Sequence, residues 1–248
     1  MGKVMLVTGA SRGIGAATAR LAAARGYDVG VNYLRNRAAA EALVAEIARA
    51  GVRALALQAD VSAEGEVARM FDAVQRALGP VAALVNNAGI LERQMRMEDM
   101  TLERFERVLA ANLTGSFLCA REAVRRMSTR RGGAGGAIVN VSSMAARLGA
   151  PGEYVDYAAA KGAIDALTVG LAKEVARDGI RVNAVRPGLI YTEIHASGGE
   201  PGRVERLKDA VPLGRGGQPE EVARAILWLA SDEASYVTGS FVDVSGGR

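Results

Sequence analysis

Cysteine and histidine are almost missing: 248 residues contain one of each, Cys119 and His195. A single cysteine excludes an internal disulfide framework and fits a reducing compartment. One cysteine and one histidine also make a Cys/His metal site untenable. Aromatic residues are only 4% of the chain, so its helices must pack on small side chains, alanine above all. Long apolar runs are absent as well. Nothing approaches the roughly 20 residues of a membrane span, and the opening apolar stretch, which runs straight into a glycine cluster, is too short for a secretory signal core. The expectation is a cytoplasmic protein with no membrane partner. Charge is nearly balanced, at +4. Its one dense patch is Arg121, Arg125, Arg126, Arg130 and Arg131, which lacks interleaved aromatics and any recognised nucleic-acid motif. It reads as the solvated end of a long helix, and no nucleic-acid partner is expected.

What remains is ordinary globular composition, half hydrophobic and 23% charged, in a length that suits one large α/β domain over residues 1–248. Short β-branched runs alternate with longer helical patterns, the mark of a doubly wound parallel sheet of about seven strands with helices on both faces. Strands are predicted at residues 3–7, 28–33, 53–58, 81–85, 137–141, 180–185 and 241–244. Helices are predicted at 15–25, 38–50, after an N-cap at Ser62, from a Thr101 cap to about 127, at 155–177 and from Pro219 onward. Two segments break this rhythm, 92–100 and 191–211, both beyond the carboxyl ends of strands, where open α/β sheets bind ligands. The second carries Ser197-Gly198-Gly199-Glu200-Pro201-Gly202 and is expected to be a mobile lid. His195 lies in it, with a loop-packing role favoured over a proton shuttle. Cys119, in an apolar helical run, reads as a packed, inert thiol.

Thr8-Gly9-Ala10-Ser11-Arg12-Gly13-Ile14-Gly15 joins the first strand to the first helix. Glycines there let the backbone turn tightly and approach a pyrophosphate, while the helix N-terminus offers free N–H groups. The spacing is G-x-x-x-G-x-G, and its placement at a strand–helix junction carries more weight than the glycines alone. Enzymes of this architecture that use NAD usually hold the ribose hydroxyls with a carboxylate ending the second strand. Here that end reads Val31-Asn32-Tyr33-Leu34-Arg35, without an acid. Arg12, Arg35 and Arg37 instead suit a 2′-phosphate, so NADP(H) is favoured over NAD(H).

Tyr157-Ala158-Ala159-Ala160-Lys161 sets a phenol and an ammonium four residues apart on one helix face. A free tyrosine, with a pKa of about 10, is a poor base near neutrality. A neighbouring cation favours the phenolate and brings that value closer to the working range.

With Asn86-Asn87-Ala88-Gly89, Asn112, Ser142-Ser143 and Pro187-Gly188 in order around it, the chain resembles the classical short-chain dehydrogenase/reductases over essentially its whole length. The resemblance implies hydride transfer between a nicotinamide and a carbonyl or secondary alcohol, in a homo-tetramer. Ser143 would hold the substrate oxygen, Tyr157 would exchange its proton, and Lys161 would bind the nicotinamide ribose and lower the tyrosine pKa. Asn112 would hold a water in a proton relay, the other reading being a buried helix amide. The cofactor would rest on Gly9, Ser11, Arg12, Gly13, Ile14 and Gly15, with Tyr33 and Arg35 at its adenosine phosphate. Asp60 and Val61 would flank the adenine, although Asp60 also suits a cap or turn. Asn87, Ala88 and Gly89 would line the adenosine side. Pro187, Gly188, Ile190 and Thr192 would receive the nicotinamide, Thr192 through its carboxamide or else as a plain loop hydroxyl.

One departure stands out: the serine–tyrosine gap is a residue longer than usual, within residues 147–157. Ser143 is chosen as the second of its pair, with Ser142 the alternative. Tyr154 precedes Tyr157 by three residues but has no lysine at the right offset. Within the family, a 3-oxoacyl thioester reductase and a sugar dehydrogenase stay open; outside it, a non-catalytic NADP(H) sensor or an arginine-patch nucleic-acid binder.

Overall fold

Residues 2–248 are described by the computed structural model. The strands are β1 (Val4–Val7), β2 (Asp28–Tyr33), β3 (Ala54–Gln58), β4 (Val81–Asn86), β5 (Gly136–Val141), β6 (Ile180–Pro187) and β7 (Phe241–Val244). They form one parallel sheet in the order β3-β2-β1-β4-β5-β6-β7. A parallel strand covered on both faces must be apolar throughout, and all four residues of β1 are buried. Successive side chains point to opposite faces. Met5 and Val7 accordingly join the core under α1 (Gly13–Ala24), α2 (Arg37–Ala48) and α10 (Pro219–Ala230). Val4 and Leu6 join the core under α3 (Glu64–Ala77), α5 (Gly115–Met127) and α7 (Val155–Val175). Ala16, Ala19, Ala22 and Ala23 of α1 are buried in the first core, which also holds Ile226 and Leu227 of α10. Strand order reverses between β1 and β4, and the crevice at their carboxyl ends is the expected ligand position. Among the described residues no helix is long and apolar enough to cross a membrane.

Three local features depart from the sequence expectations. The helix expected from Thr101 to about Met127 does begin at that cap, Thr101 Oγ1 accepting from the Arg104 N–H at 3.3 Å. It is not uniform, however: α4 (Leu102–Leu109) and α5 are joined by a π turn at Ala110–Thr114 that contains Asn112. Such turns tend to mark functional positions, and a single extra residue leaves the apolar pattern too little altered to be read. Ser62 is not a helix cap. Its N–H and hydroxyl both donate to Asp60 Oδ1, at 2.9 and 2.7 Å, and α3 starts behind Ala63 without a capping side chain. The nearer carboxylate outcompetes the helix for that serine.

The third feature is the extra residue before Tyr157. Behind the short helix α6 (Ala145–Leu148), Gly149, Ala150 and Gly152 adopt φ of 74°, 45° and 73°. Ala150 is the one non-glycine residue with positive φ among those described. That conformation costs an L-residue about 1–2 kcal/mol, against which glycine adds backbone entropy to the unfolded chain. Ala150→Gly should therefore stabilise the fold by about 0.5 kcal/mol, a rise in Tm of about 1–2 °C. A lowered Tm in a thermal melt would show that the strain is not real.

Candidate active site

The glycine loop between β1 and α1 is clamped from below. Gly9 has φ +59°, and a Cβ there would come within 2.8 Å of the Ala88 Cα, so only glycine fits both the turn and the approach. The buried Thr8 hydroxyl accepts the N–H groups of Asn87 and Ala88, each at 3.0 Å. Asn87 Nδ2 donates to the carbonyls of Thr8 (2.8 Å) and Gly9 (3.0 Å). Asn87 thus lines the cleft while tying β4 to the loop. Asn32, which sequence reasoning registered only as a missing acid, is the third clamp. Its Oδ1 accepts the Gly9 N–H at 3.1 Å and its Nδ2 donates to Leu57 and Ala59. A polar residue within the wholly buried β2 run was the available signal. At the other end of the loop, α1 follows Arg12 with no capping side chain, leaving its first N–H groups to an anion.

Charge at the adenosine end follows the sequence only in part. Arg35 is exposed, and no ion pair engages it among the described residues. Arg12 donates to the Ser197 hydroxyl at 3.3 Å, whereas Arg37 is taken up by Glu41 at 2.7 Å. Tyr33 is buried at the strand end. Asp60 spends one oxygen on the Ser62 turn, and Val61 packs on Gly115, where a Cβ would lie 2.5 Å from its Cγ2.

A cleft at the carboxyl ends of β4, β5 and β6 brings together Ile14, Asn87, Gly89, Asn112, Ser143, Tyr157, Lys161, Pro187, Gly188, Ile190 and Thr192. Gly9, Ser11, Arg12, Gly13, Gly15, Tyr33, Arg35, Asp60, Val61 and Ala88 lie outside its walls, along the loop and strand ends leading from it. Both serines line the cleft with Tyr157: the Ser142 hydroxyl is engaged by the Lys161 carbonyl at 3.3 Å, while the Ser143 hydroxyl accepts the Ala145 N–H at 3.1 Å. Asn112 is fully buried. It donates to the Ile90 and Val108 carbonyls at 3.1 and 2.9 Å, and its Oδ1 leaves no room for a Cβ at Gly89. Lys161 donates to the Val141 carbonyl at 2.7 Å and lies 5.5 Å from the Tyr157 ring centre.

Ionisation in the cleft departs from expectation in one respect. Burial pushes the Tyr157 phenol up to about 12, with the Ser143 hydrogen bond pulling it back only in part. Burial also lowers Lys161 to about 8. The expected depression of the tyrosine by the lysine is therefore not what governs the folded chain: desolvation outweighs a cation already committed to a carbonyl. A buried polar ladder sets the helix that carries both residues. Asn86 Nδ2 donates to Asn140 Oδ1, and Asn140 Nδ2 to the Thr168 hydroxyl of α7, each at 2.9 Å.

The segment after β6 is more ordered than its composition suggests, with short helices α8 (Ile194–Ser197) and α9 (Arg203–Leu207). Thr192 sits against Gly13, whose Cβ would approach its Cγ2 to 3.3 Å. Glu200 pairs with Arg203 and Arg206, and its carboxyl falls to about 2, chiefly through Arg206. Arg203 also pairs with Glu153 before α7 and lies 5.2 Å from the Tyr154 ring centre. His195 is buried, Nε2 on the Ile190 carbonyl at 3.0 Å, and burial lowers its pKa. It packs the root of this segment. Cys119 is fully buried, its thiol pushed up to about 12 by desolvation. Of the arginine patch, Arg121, Arg125, Arg126 and Arg130 are each paired with an acid.

A parallel sheet with a serine, a tyrosine and a lysine gathered at its crevice defines the class, a Rossmann-type oxidoreductase. Comparison with known proteins agrees, and the chain belongs to the short-chain dehydrogenase/reductase family. A family model described as enoyl-(acyl carrier protein) reductase matches residues 9–248. An uncharacterized oxidoreductase of Escherichia coli K12 is 63% identical over 99% of both chains. A 3-oxoacyl-[acyl-carrier-protein] reductase of Synechocystis is 42% identical, covering 99% of this chain and 96% of its own. The crystal structure of a short-chain type dehydrogenase/reductase from Mycobacterium marinum superposes with a TM-score of 0.92 at 38% identity, over 99% of this chain and 95% of that one.

Proposed function

We propose that the chain moves a hydride between NADP(H) and a carbonyl or secondary alcohol, with Tyr157 as the proton donor or acceptor. The observation that carries this reading is the meeting of Tyr157, Ser143 and Lys161 in one cleft whose far end is a glycine loop with uncapped N–H groups. The residues present fit the cofactor. Gly9 and Gly13 keep the loop surface free of side chains, Thr192 stands opposite Gly13, and no carboxylate ends β2. When bound, the nicotinamide supplies or receives the hydride. Ser143 and Tyr157 would hold the substrate oxygen between two hydroxyls. A phenol at about 12 stays protonated through the neutral range and so can donate to an oxygen that is gaining negative charge during reduction. Lys161, whose lowered value of about 8 still leaves it largely charged at pH 7, would favour the phenolate left behind.

Among substrate classes, a 3-oxoacyl thioester has specific support in the name of the Synechocystis relative, and the family model's name adds only the acyl carrier protein. An NADPH-oxidation screen against acyl thioesters, ketones and sugars tests the assignment. Arg35 is free to meet a 2′-phosphate, and a charge-assisted hydrogen bond contributes about 1.5–3 kcal/mol. The kcat/KM for NADPH should then exceed that for NADH by about tenfold or more, and Arg35→Ala should erode the gap. Equal use of both cofactors by the parent protein would reject the NADP(H) assignment while leaving the proton chemistry standing.

A further inference from the structure

Four charged side chains from four elements form an alternating chain behind the reacting end of the cleft. Arg147 of α6 donates to Asp243 of β7 at 2.9 Å, and Asp243 meets Arg186 of β6 at 3.4 Å. Arg186 holds Asp165 of α7 with both Nε and Nη2 at 2.9 Å from the same carboxylate oxygen. The Arg186 guanidinium lies 3.8 Å from the Phe241 ring centre, so its plane is fixed on a second side. The other Asp165 oxygen, Oδ1, is buried without a hydrogen-bond partner. A carboxylate oxygen left in that state is costly.

Asp165 stands one turn beyond Lys161 on α7, a spacing that brings side chains onto the same helix face with Cβ atoms about 5–6 Å apart. The other residues that line the cleft around Lys161 are uncharged. Tyr157 comes from its own helix, the Val141 carbonyl and Ser142 from the end of β5, Asn112 from the π turn, and Thr192 from the segment after β6. Asp165 is the carboxylate one turn along the helix from this lysine, close enough to act on it through space though not in direct contact, and Arg186 pairs with it at 2.9 Å.

We propose that Asp165 is a positioning residue for the reaction: held by Arg186, it supplies the counter-charge that keeps Lys161 protonated beside Tyr157. The inference rests on Lys161 being the cation of the reacting pair. Arg186 limits how strongly the carboxylate acts, so the two residues pull Lys161 in opposite directions. Removing the carboxylate takes away the counter-charge and leaves the ammonium only its hydrogen bond to the Val141 carbonyl. Removing the guanidinium leaves the attraction of the carboxylate unopposed.

The chain has four lysines, Lys3, Lys161, Lys173 and Lys208, and only Lys161 is buried. Protein labelled with carbon-13 at lysine Cε therefore reports its ionisation by NMR, with Lys161→Met identifying the resonance, and no substrate or cofactor is needed. Asp165→Asn, which keeps the size and one acceptor oxygen, should lower the Lys161 midpoint by about half a unit, a roughly threefold loss in proton affinity. Arg186→Gln should raise it by a similar factor. Arg186→Lys, which keeps the charge but loses the two-nitrogen grip, should give a smaller rise and serves if the glutamine variant does not fold. An unmoved midpoint in Asp165→Asn, or shifts of the same sign at both positions, overturns the proposal and leaves the pair as a tie between α7 and β6. This titration reads Lys161 whether or not the protein turns over, so its failure is separate from a failure of the proposed hydride-transfer function.

Discussion

Tyr157→Phe is expected to bind NADPH normally and to turn over about a hundred to ten thousand times more slowly than the parent protein. That range is what a positioned general acid contributes, and it corresponds to about 3–5 kcal/mol of barrier. The substitution removes one oxygen and leaves the ring in place. Its cost to stability should not exceed that of one hydrogen bond, on the order of 1 kcal/mol. Measuring cofactor affinity by fluorescence and stability by thermal melt, beside kcat, separates lost chemistry from lost folding. Activity within about threefold of the parent, on the best substrate found, would sink the assignment of Tyr157, since no general acid worth the name contributes so little.

Asp156→Ala should be the most damaging single change to the fold near the cleft. Asp156 and Arg104 are buried, with side-chain exposures of 2% and 6%. Arg104 Nε reaches Oδ2 at 2.7 Å, while Nη1 donates to the Arg93 carbonyl. Asp156 Oδ1 also accepts the Tyr157 N–H at 2.9 Å. Removing one partner strands a buried charge, at a cost of about 3–5 kcal/mol. For a chain of this length that is a fall in Tm on the order of 10 °C. Replacing both residues together, as in Arg104→Met with Asp156→Leu, should recover much of the loss, because an apolar pair carries no desolvation penalty. A single-variant loss below about 1 kcal/mol would mean that water reaches the pair and screens it.

The order of strands and helices was legible because hydrophobic periodicity and glycine stops are local signals. The glycine loop and the Tyr157–Lys161 spacing were legible for the same reason. What escaped is non-local. Asn32 reads as an oddity until β3 and the glycine loop supply its three partners. The Asn86–Asn140–Thr168 ladder joins residues 28 and 54 positions apart, which no window spans. Residues after Thr192 read as irregular because their order comes from Arg203 pairing with both Glu153 and Glu200, not from helix propensity. The choice between Ser142 and Ser143 was undecidable from spacing, since the extra residue is absorbed in the turn around Ala150. The rise that burial imposes on the Tyr157 phenol was not legible, because burial, unlike charge, leaves no mark on a motif.

The π turn at Ala110–Thr114 also sets how this cleft tolerates change in length. An α-helix advances about 100° per residue, so one added residue swings all that follows by more than a quarter turn. Val108 before it and Cys119 after it are both fully buried, and Asn112 between them faces the cleft. Losing one residue from this turn would straighten the rod and force a choice between seating α5 on the sheet and aiming Asn112 at Gly89. Insertions and deletions are ordinarily absorbed in surface loops. In this chain, a helix carries one at the site itself.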